Sequence, residues 1–217
     1  TFNPLKKVQS YFFETEKNFT RPFHGHYPLT EKSLELVGLT VAEIKDKYPS
    51  EMSGGQLQRA SVARALITEP SLLIADEPVS MIDASLRMSV VNLFKELKEE
   101  QKVSIIYITH DLATAYYISD RIAIMLRGQF VEIGLVKKVL DNPLHPYTQL
   151  LINSVPAPDP NTKWQQDIAL GDLETKEFVQ KGCKFSGRCP KVHARCYEQE
   201  PAYYQIDERL VKCHLYA

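Results

Sequence analysis

The chain has 217 residues, 44% of them hydrophobic and 24% charged, with 26 basic side chains against 27 acidic ones. That is enough apolar content for a buried core, which excludes disordered and fibrous classes, and a formal net charge of -1 exerts no global pull toward nucleic acid or an anionic membrane. No apolar run reaches the roughly 18 to 20 residues of a membrane span, and Thr1 to Lys7 is not a signal peptide, so a cytoplasmic protein without a span of its own is expected.

The first residue is Thr1 rather than Met, which predicts a piece of a longer protein. Residues 1–52 are mixed and aromatic, and the apolar positions Leu34, Leu36, Val37, Leu39 and Val41 suit a short helix and its exit loop in an inserted subdomain. Ser53-Gly54-Gly55-Gln56 then carries a helix-start signature: Ser followed three residues later by Gln, directly before the periodic run Leu57, Ala60, Val62, Ala63, Leu66. Two glycines leave the backbone donors of such a helix end open to a phosphate. The same pattern also serves as a plain capping box on an ordinary helix.

Leu72 to Ala75 reads as a buried strand ending in Asp76-Glu77-Pro78. Carboxylates at the carboxyl end of a parallel strand stand where open α/β sheets bind ligands. Asp76 is suited to hold Mg²⁺ beside nucleotide phosphates, and Glu77 to act as general base on the attacking water. Leu86, Val90, Leu93, Phe94 and Leu97 recur at helical spacing, predicting an amphipathic helix over residues 84–99. Val103 to Ile108 is a second apolar strand, ending in Thr109-His110-Asp111, so neighbouring strands would bring His110 near Asp76 and Glu77, able to donate to a γ-phosphate. Ile122 to Leu126 and Phe130 to Ile133 flank the turn sequence Arg127-Gly128-Gln129 and predict a hairpin. Pro156, Pro158 and Pro160 predict an extended connector, followed by a separate appendage. The expected boundaries are 1–52 for a partial helical subdomain, 53–151 for an α/β core, and 152–217 for the extension.

In this order and spacing the residues resemble an ATP-binding cassette. Ser53 to Arg59 is similar to the ABC signature, with Met52 where Leu is usual, Leu72 to Glu77 to a Walker B strand, Ser80-Met81-Ile82-Asp83 to the D-loop, and His110 to the switch histidine. Thr1 to Pro4, Leu144-His145-Pro146-Tyr147-Thr148 and Val155 to Pro160 narrow the resemblance to the ATPases of dipeptide and oligopeptide importers. It implies a P-loop NTPase-like fold. It also implies ATP and Mg²⁺ as ligands, transmembrane permease partners at the cytoplasmic face of the membrane, a second ATPase subunit, identical or different, and indirect service to an extracytoplasmic peptide-binding protein. Nucleic acid is not among the expected partners. By the family's mechanism Ser53, Gly54, Gly55 and Gln56 would face the partner's nucleotide, while Asp76, Glu77 and His110 serve the chain's own, and Asp83 of the D-loop is a further nucleotide-site candidate. Two alternatives remain open: a soluble ABC ATPase of DNA repair or translation, and a non-catalytic metal-binding fragment.

A phosphate loop of the form G-x-x-x-x-G-K-[ST] does not occur in these residues. The one glycine pair at that separation, Gly182 and Gly187, is followed by Arg188 and Cys189. The cassette is therefore expected to be incomplete, and the chain alone inactive. All four cysteines, Cys183, Cys189, Cys196 and Cys213, lie in the tail. A cytosolic setting disfavours disulfides, and the spacings lack the paired C-x₂₋₄-C of common zinc sites. Four thiolates also suit a [4Fe–4S] cluster, whose negative charge Lys181, Lys184, Arg188, Lys191 and Arg195 would favour. The run Cys183 to Pro190 with Cys196 and Cys213 to Tyr216 resembles the cysteine-rich tail of peptide-importer ATPases, which implies that cluster, with Zn²⁺ or free thiols as alternatives.

Overall fold

The computed structural model describes residues 2–19, 27–80, 82–155 and 177–217, with the backbone alone at Ala84 and Ser85. The predicted connector at Pro156, Pro158 and Pro160 lies outside the described residues, as does Met81. Two compact units are formed, Thr1–Thr114 and Ala115–Ala217. This division differs from the expected boundaries at 52 and 151, for reasons visible in the pairing below.

In the first unit, helices α1 (Val8–Phe19), α2 (Pro28–Leu36) and α3 (Val41–Ile44) precede α4 (Gly54–Leu66). The sequence pattern predicts one short helix there; the described residues form three α-helices before α4. Tyr27 offers α2 no side-chain cap, and the buried Glu16 of α1 takes that role, accepting from Leu29 N at 3.0 Å and Thr30 N at 2.7 Å. A carboxylate at a positive helix end has its desolvation offset by those two donors. Arg64 of α4 donates to Thr15 Oγ1 of α1 at 3.0 Å, and Val8, Phe12, Leu34, Ala60 and Ala63 are fully buried, so α4 joins the helical segment to the core.

Strands β1 (Leu72–Asp76) and β2 (Ser104–Ile108) pair in parallel, Leu72 against Ser104 through Asp76 against Ile108. Helix α5 (Ala84–Glu99) buries Val90, Val91, Leu93, Phe94 and Leu97, with Phe94 edge-on to Tyr107 of β2 at 5.7 Å. Leu86, predicted on that buried stripe, is exposed instead. Alternation puts Leu72, Ile74, Ile106 and Ile108 on the other sheet face, where all four are exposed.

Helix α6 (Leu112–Ile118) leads into the second unit. The predicted hairpin is present as β3 (Arg121–Leu126) and β4 (Gln129–Leu135), two residues longer than expected at its end. Arg127 and Gly128 both have positive φ, 48° and 77°, the backbone of a tight hairpin turn. Helices α7 (Val136–Asp141) and α8 (Pro146–Asn153) follow, then α9 (Ala194–Glu198) and a second hairpin, β5 (Tyr203–Ile206) and β6 (Arg209–Lys212). Strand β6 pairs with β4, giving the antiparallel order β3-β4-β6-β5. That ladder is why the tail belongs with the 121–135 hairpin rather than standing apart. Ile124, Leu126, Val131, Val139 and Phe185 form its buried core.

Candidate functional site

The ends of β1 and β2 bring the strand-end candidates together. Glu77 continues the ladder past Asp76, donating its N–H to Ile108 O at 2.9 Å, but with φ of 46° it leaves the strand in a left-handed turn. A non-glycine residue in that region is strained and persists only where its surroundings fix it. Here Ser80 Oγ donates to Glu77 O at 2.9 Å, and Pro78 and Val79 are buried beneath. His110, just past β2, meets Glu77 side chain to side chain, Nδ1 to Oε1 at 2.7 Å. A carboxylate only accepts, so Nδ1 carries the proton, and a neutral ring then has only a lone pair on Nε2. The expected donation from His110 to a phosphate therefore requires a protonated ring or release of Glu77. Glu77 Oε2 is buried and has no hydrogen-bond partner among the described residues, which leaves it an unused acceptor. Asp76 is exposed on the same sheet face as Ile74 and Ile108.

Sequence reasoning did not single out the residues that hold the His110 loop. Asp111 caps α6, its Oδ1 accepting from Ala113 N at 3.0 Å and Thr114 N at 3.3 Å, and its Oδ2 meets Arg87 Nη1 of α5 at 3.4 Å. An Asp directly before an apolar helical run is an N-cap signal that could have found it.

At α4, Ser53 is the N-cap, and the reciprocal box is complete: Gln56 N donates to Ser53 Oγ at 3.2 Å, and Ser53 N to Gln56 Oε1 at 3.0 Å. Ser53 and Gly54 are exposed, while Gly55 is buried, a Cβ there reaching Leu86 at 3.4 Å. The capping-box and phosphate-facing readings thus coexist, because the cap uses Ser53 Oγ as acceptor and leaves the early amides open. Asp83 caps the start of α5 through its backbone, with no side-chain cap bond.

In the second unit all four cysteines line one small cavity, together with His145, Phe185, Lys191 and His214. Among the described residues, no three His, Cys, Asp or Glu side chains close on a point as one metal ion would need. Burial raises the thiol of Cys213 to about 11 and pushes Cys183 and Cys189 up as well, with the neighbouring cysteines adding to the effect. These are thiols until something displaces their protons. Cys183 N donates to Cys196 O at 2.8 Å, and Gly182 permits this approach: a Cβ there would stand 2.2 Å from Cys196 O. The glycine that imitates a phosphate loop in sequence is a close-packing glycine.

The basic residues expected around the cysteines are mostly engaged elsewhere. Arg188 binds the buried Glu177 at 2.6 and 3.0 Å, Lys184 donates to Phe178 O and Gln180 O, and Arg195 pairs with Gln199. Only Lys191 of the five lines the cavity. The two histidines were not anticipated there. His145 is the N-cap of α8, Nδ1 accepting from Tyr147 N at 3.0 Å, and Nε2 is buried without a partner among the described residues. His214 is the reverse, Nε2 against Gln199 O at 2.8 Å and Nδ1 without a partner among the described residues. Glu132 fixes the start of α8, accepting from Leu144 N at 3.0 Å and His145 N at 2.9 Å, with Arg209 Nη1 at 3.7 Å.

Known proteins match along the whole chain. The family described as "ABC transporter" matches residues 10–80, and "Oligopeptide/dipeptide transporter, C-terminal region" matches residues 131–196. The oligopeptide transport ATP-binding protein AppF of Bacillus subtilis is 39% identical, over 100% of this chain and 67% of its own length. The oligopeptide transport ATP-binding protein OppF of Salmonella typhimurium is 44% identical, over 82% of this chain and 53% of its length. The chain thus spans between about half and two thirds of these relatives. Among solved structures, cbiO1 of Clostridium perfringens, part of the ABC transporter complex cbiONQ, matches at TM-score 0.56 and 26% identity, over 65% of this chain and 55% of that one. The dimeric ABC transporter cassette MJ0796 matches in fold at TM-score 0.54 and 24% identity, over 63% and 59%.

Proposed function

This chain belongs to the ATP-binding proteins of oligopeptide and dipeptide ABC transporters, and on that footing we propose that it is the energy-coupling subunit of a peptide importer. The observation that carries the reading is the contact of Glu77 with His110 at the ends of two parallel strands. In the proposed mechanism Glu77 Oε2 takes the proton of the attacking water, and His110 holds the carboxylate in place through Oε1. Asp76 would hold Mg²⁺, which neutralises charge on the β and γ phosphates. His110 can donate to a phosphate once its ring is protonated or Glu77 is released. Ser53, Gly54, Gly55 and Gln56 would present the amide end of α4 to nucleotide held by a second subunit, beside Asp83.

The proposed setting is peripheral, at the cytoplasmic face of the membrane, with permease subunits as direct partners and a peptide-binding protein as an indirect one. Among the described residues no helix is long and apolar enough to cross a membrane. The similarity of residues 131–196 to a transporter-specific region favours transport over a soluble ABC ATPase. These 217 residues contain no phosphate-loop run, so turnover is assigned to a protein that includes one and not to this chain by itself. We assign Cys183, Cys189, Cys196 and Cys213 to a [4Fe–4S] cluster, with zinc as the alternative. A single Zn²⁺ needs donors about 2.0–2.3 Å from one point, whereas a cluster spreads its iron among thiolates set around a larger space. All four cysteines line one cavity, which supports a centre that they share.

The test is uptake. A full-length protein reconstituted with its permeases in proteoliposomes should accumulate labelled di- or oligopeptide only with ATP inside and binding protein outside. Uptake that ignores ATP would reject the proposal. Anaerobic protein should be brown and lose its colour with Cys189→Ser, and stoichiometric zinc without iron would reject the cluster.

A further inference from the structure

The cysteine cavity contains a donor that its described neighbours do not use. His145 is only 1% exposed, and its ring lines the cavity alongside Cys183, Cys189, Cys196 and Cys213. Because Tyr147 N donates to Nδ1, that nitrogen holds a lone pair, and a neutral ring must carry its proton on Nε2. A ring whose Nδ1 accepts a hydrogen bond is neutral, because an imidazolium carries a proton on both nitrogens. Nε2–H is therefore a buried N–H with no acceptor among the described residues. Such a donor is unfavourable unless something accepts from it.

We infer that His145 Nε2–H donates to an anionic sulfur of the iron–sulfur centre, making His145 a positioning residue that raises the reduction potential of that centre. The inference rests on the cluster reading above. A thiol sulfur is a weak acceptor, whereas a metal-bound thiolate or sulfide carries negative charge and accepts strongly. An added electron increases that charge, so the same hydrogen bond stabilises the reduced form more than the oxidised one. His214 cannot do this in its neutral form. Its proton lies on Nε2 toward Gln199 O, and its unpartnered Nδ1 offers only a lone pair. Phe185, with its ring centroid 6.1 Å from that of His145, and Pro146 add apolar wall to the cavity. His145 thus couples the cap of α8 to the tail through one ring.

Two substitutions separate the cap from the donor. His145→Asn keeps an oxygen for Tyr147 N but is too short to reach the sulfur. His145→Gln sets an amide N–H near the position of Nε2. The experiment is a redox titration of the anaerobically purified full-length protein, with iron content measured in parallel. His145→Asn should bind as much iron as the parent and shift to a more negative potential, and His145→Gln should recover part of the shift. Proton ENDOR of the reduced parent should show an exchangeable coupling that disappears in D₂O and in His145→Asn. Equal potentials for parent and His145→Asn at equal iron content would overturn the inference while leaving the cluster intact. Loss of iron from both variants would also overturn it, since that reports a structural role alone. A parent that carries zinc and no iron would overturn the cluster reading and this inference together.

Discussion

Glu132→Ala removes the acceptor for two backbone donors, one buried and one part-buried, and the counter-charge of a third group at once. Glu132 is fully buried, with Oε1 accepting from Leu144 N at 3.0 Å and Oε2 from His145 N at 2.9 Å. Each orphaned buried N–H costs about 1–3 kcal/mol, and breaking a buried ion pair about 3–5 kcal/mol. These overlap, and Arg209 Nη1 stands 3.7 Å away while keeping the carbonyls of Lys138 at 2.9 Å and Asn142 at 2.6 Å. The ion-pair contribution is therefore discounted, and the expected loss is about 3–5 kcal/mol in total rather than their sum. Urea unfolding followed by far-UV circular dichroism reads the loss, and hydrogen exchange should accelerate at Leu144 and His145 before it does elsewhere. The double variant Glu132→Ala with Arg209→Met should recover part of the loss, with a coupling of about 1 kcal/mol or more. A single-variant loss below about 1 kcal/mol, or strict additivity, would refute the idea that Glu132 organises the start of α8.

Three further outcomes follow from particular residues. His145 has a folded pKa of about 4 against an ordinary 6.5, so its contribution to stability is present above pH 6.5 and lost as pH falls toward 4. That loss amounts to about 3 kcal/mol and should be smaller in His145→Asn; identical unfolding profiles across pH 7 to pH 4 would show that the ring does not titrate as argued. Gly182→Ala drives a Cβ into backbone, 2.2 Å from Cys196 O and 2.8 Å from Tyr197 O, so it should destabilise by about 3 kcal/mol; a melting point unchanged from the parent would contradict the close approach. Ser53→Ala deletes half of the α4 capping box and should cost about 1 kcal/mol in unfolding measurements, in addition to slowing turnover of the assembled transporter; an Ala variant as stable as the parent would leave the cap without weight.

Much of the first unit was legible because its signals are local. Ser53 and Gln56 stand three apart before a periodic run, and the apolar strands end at Asp76 and Ile108, so cap, strand and crossover could be read directly. The pairing of Glu77 with His110 followed from neighbouring parallel strands. The proton count did not follow, because it depends on which ring nitrogen faces the carboxylate. The β5–β6 hairpin was illegible for a physical reason: its turn uses Asp207 and Glu208 at φ of 46° and 61°, where glycine or asparagine would have signalled it. Lys138 holds both carboxylates, at 3.1 and 2.7 Å, a contact across about seventy residues that no local pattern announces. The roles of Glu16, Glu132 and His145 were hidden in the same way. Each satisfies backbone amides of another segment or of its own helix start, and each reads in sequence as an ordinary polar residue.

Leu72, Ile74, Ile106 and Ile108 leave one face of the β1–β2 sheet apolar and exposed, so the isolated chain should self-associate in light scattering at concentrations where a full-length protein stays monodisperse. The central claim concerns the chemistry at the end of that sheet. It is tested most directly by ATP turnover of the full-length subunit assembled with its permeases, parent against Glu77→Gln. The amide keeps the size of the carboxylate and leaves Asp76 for Mg²⁺, so nucleotide binding should persist while turnover falls about 10²-fold or more. Turnover at the parent rate in Glu77→Gln would contradict the assignment of Glu77 as the base.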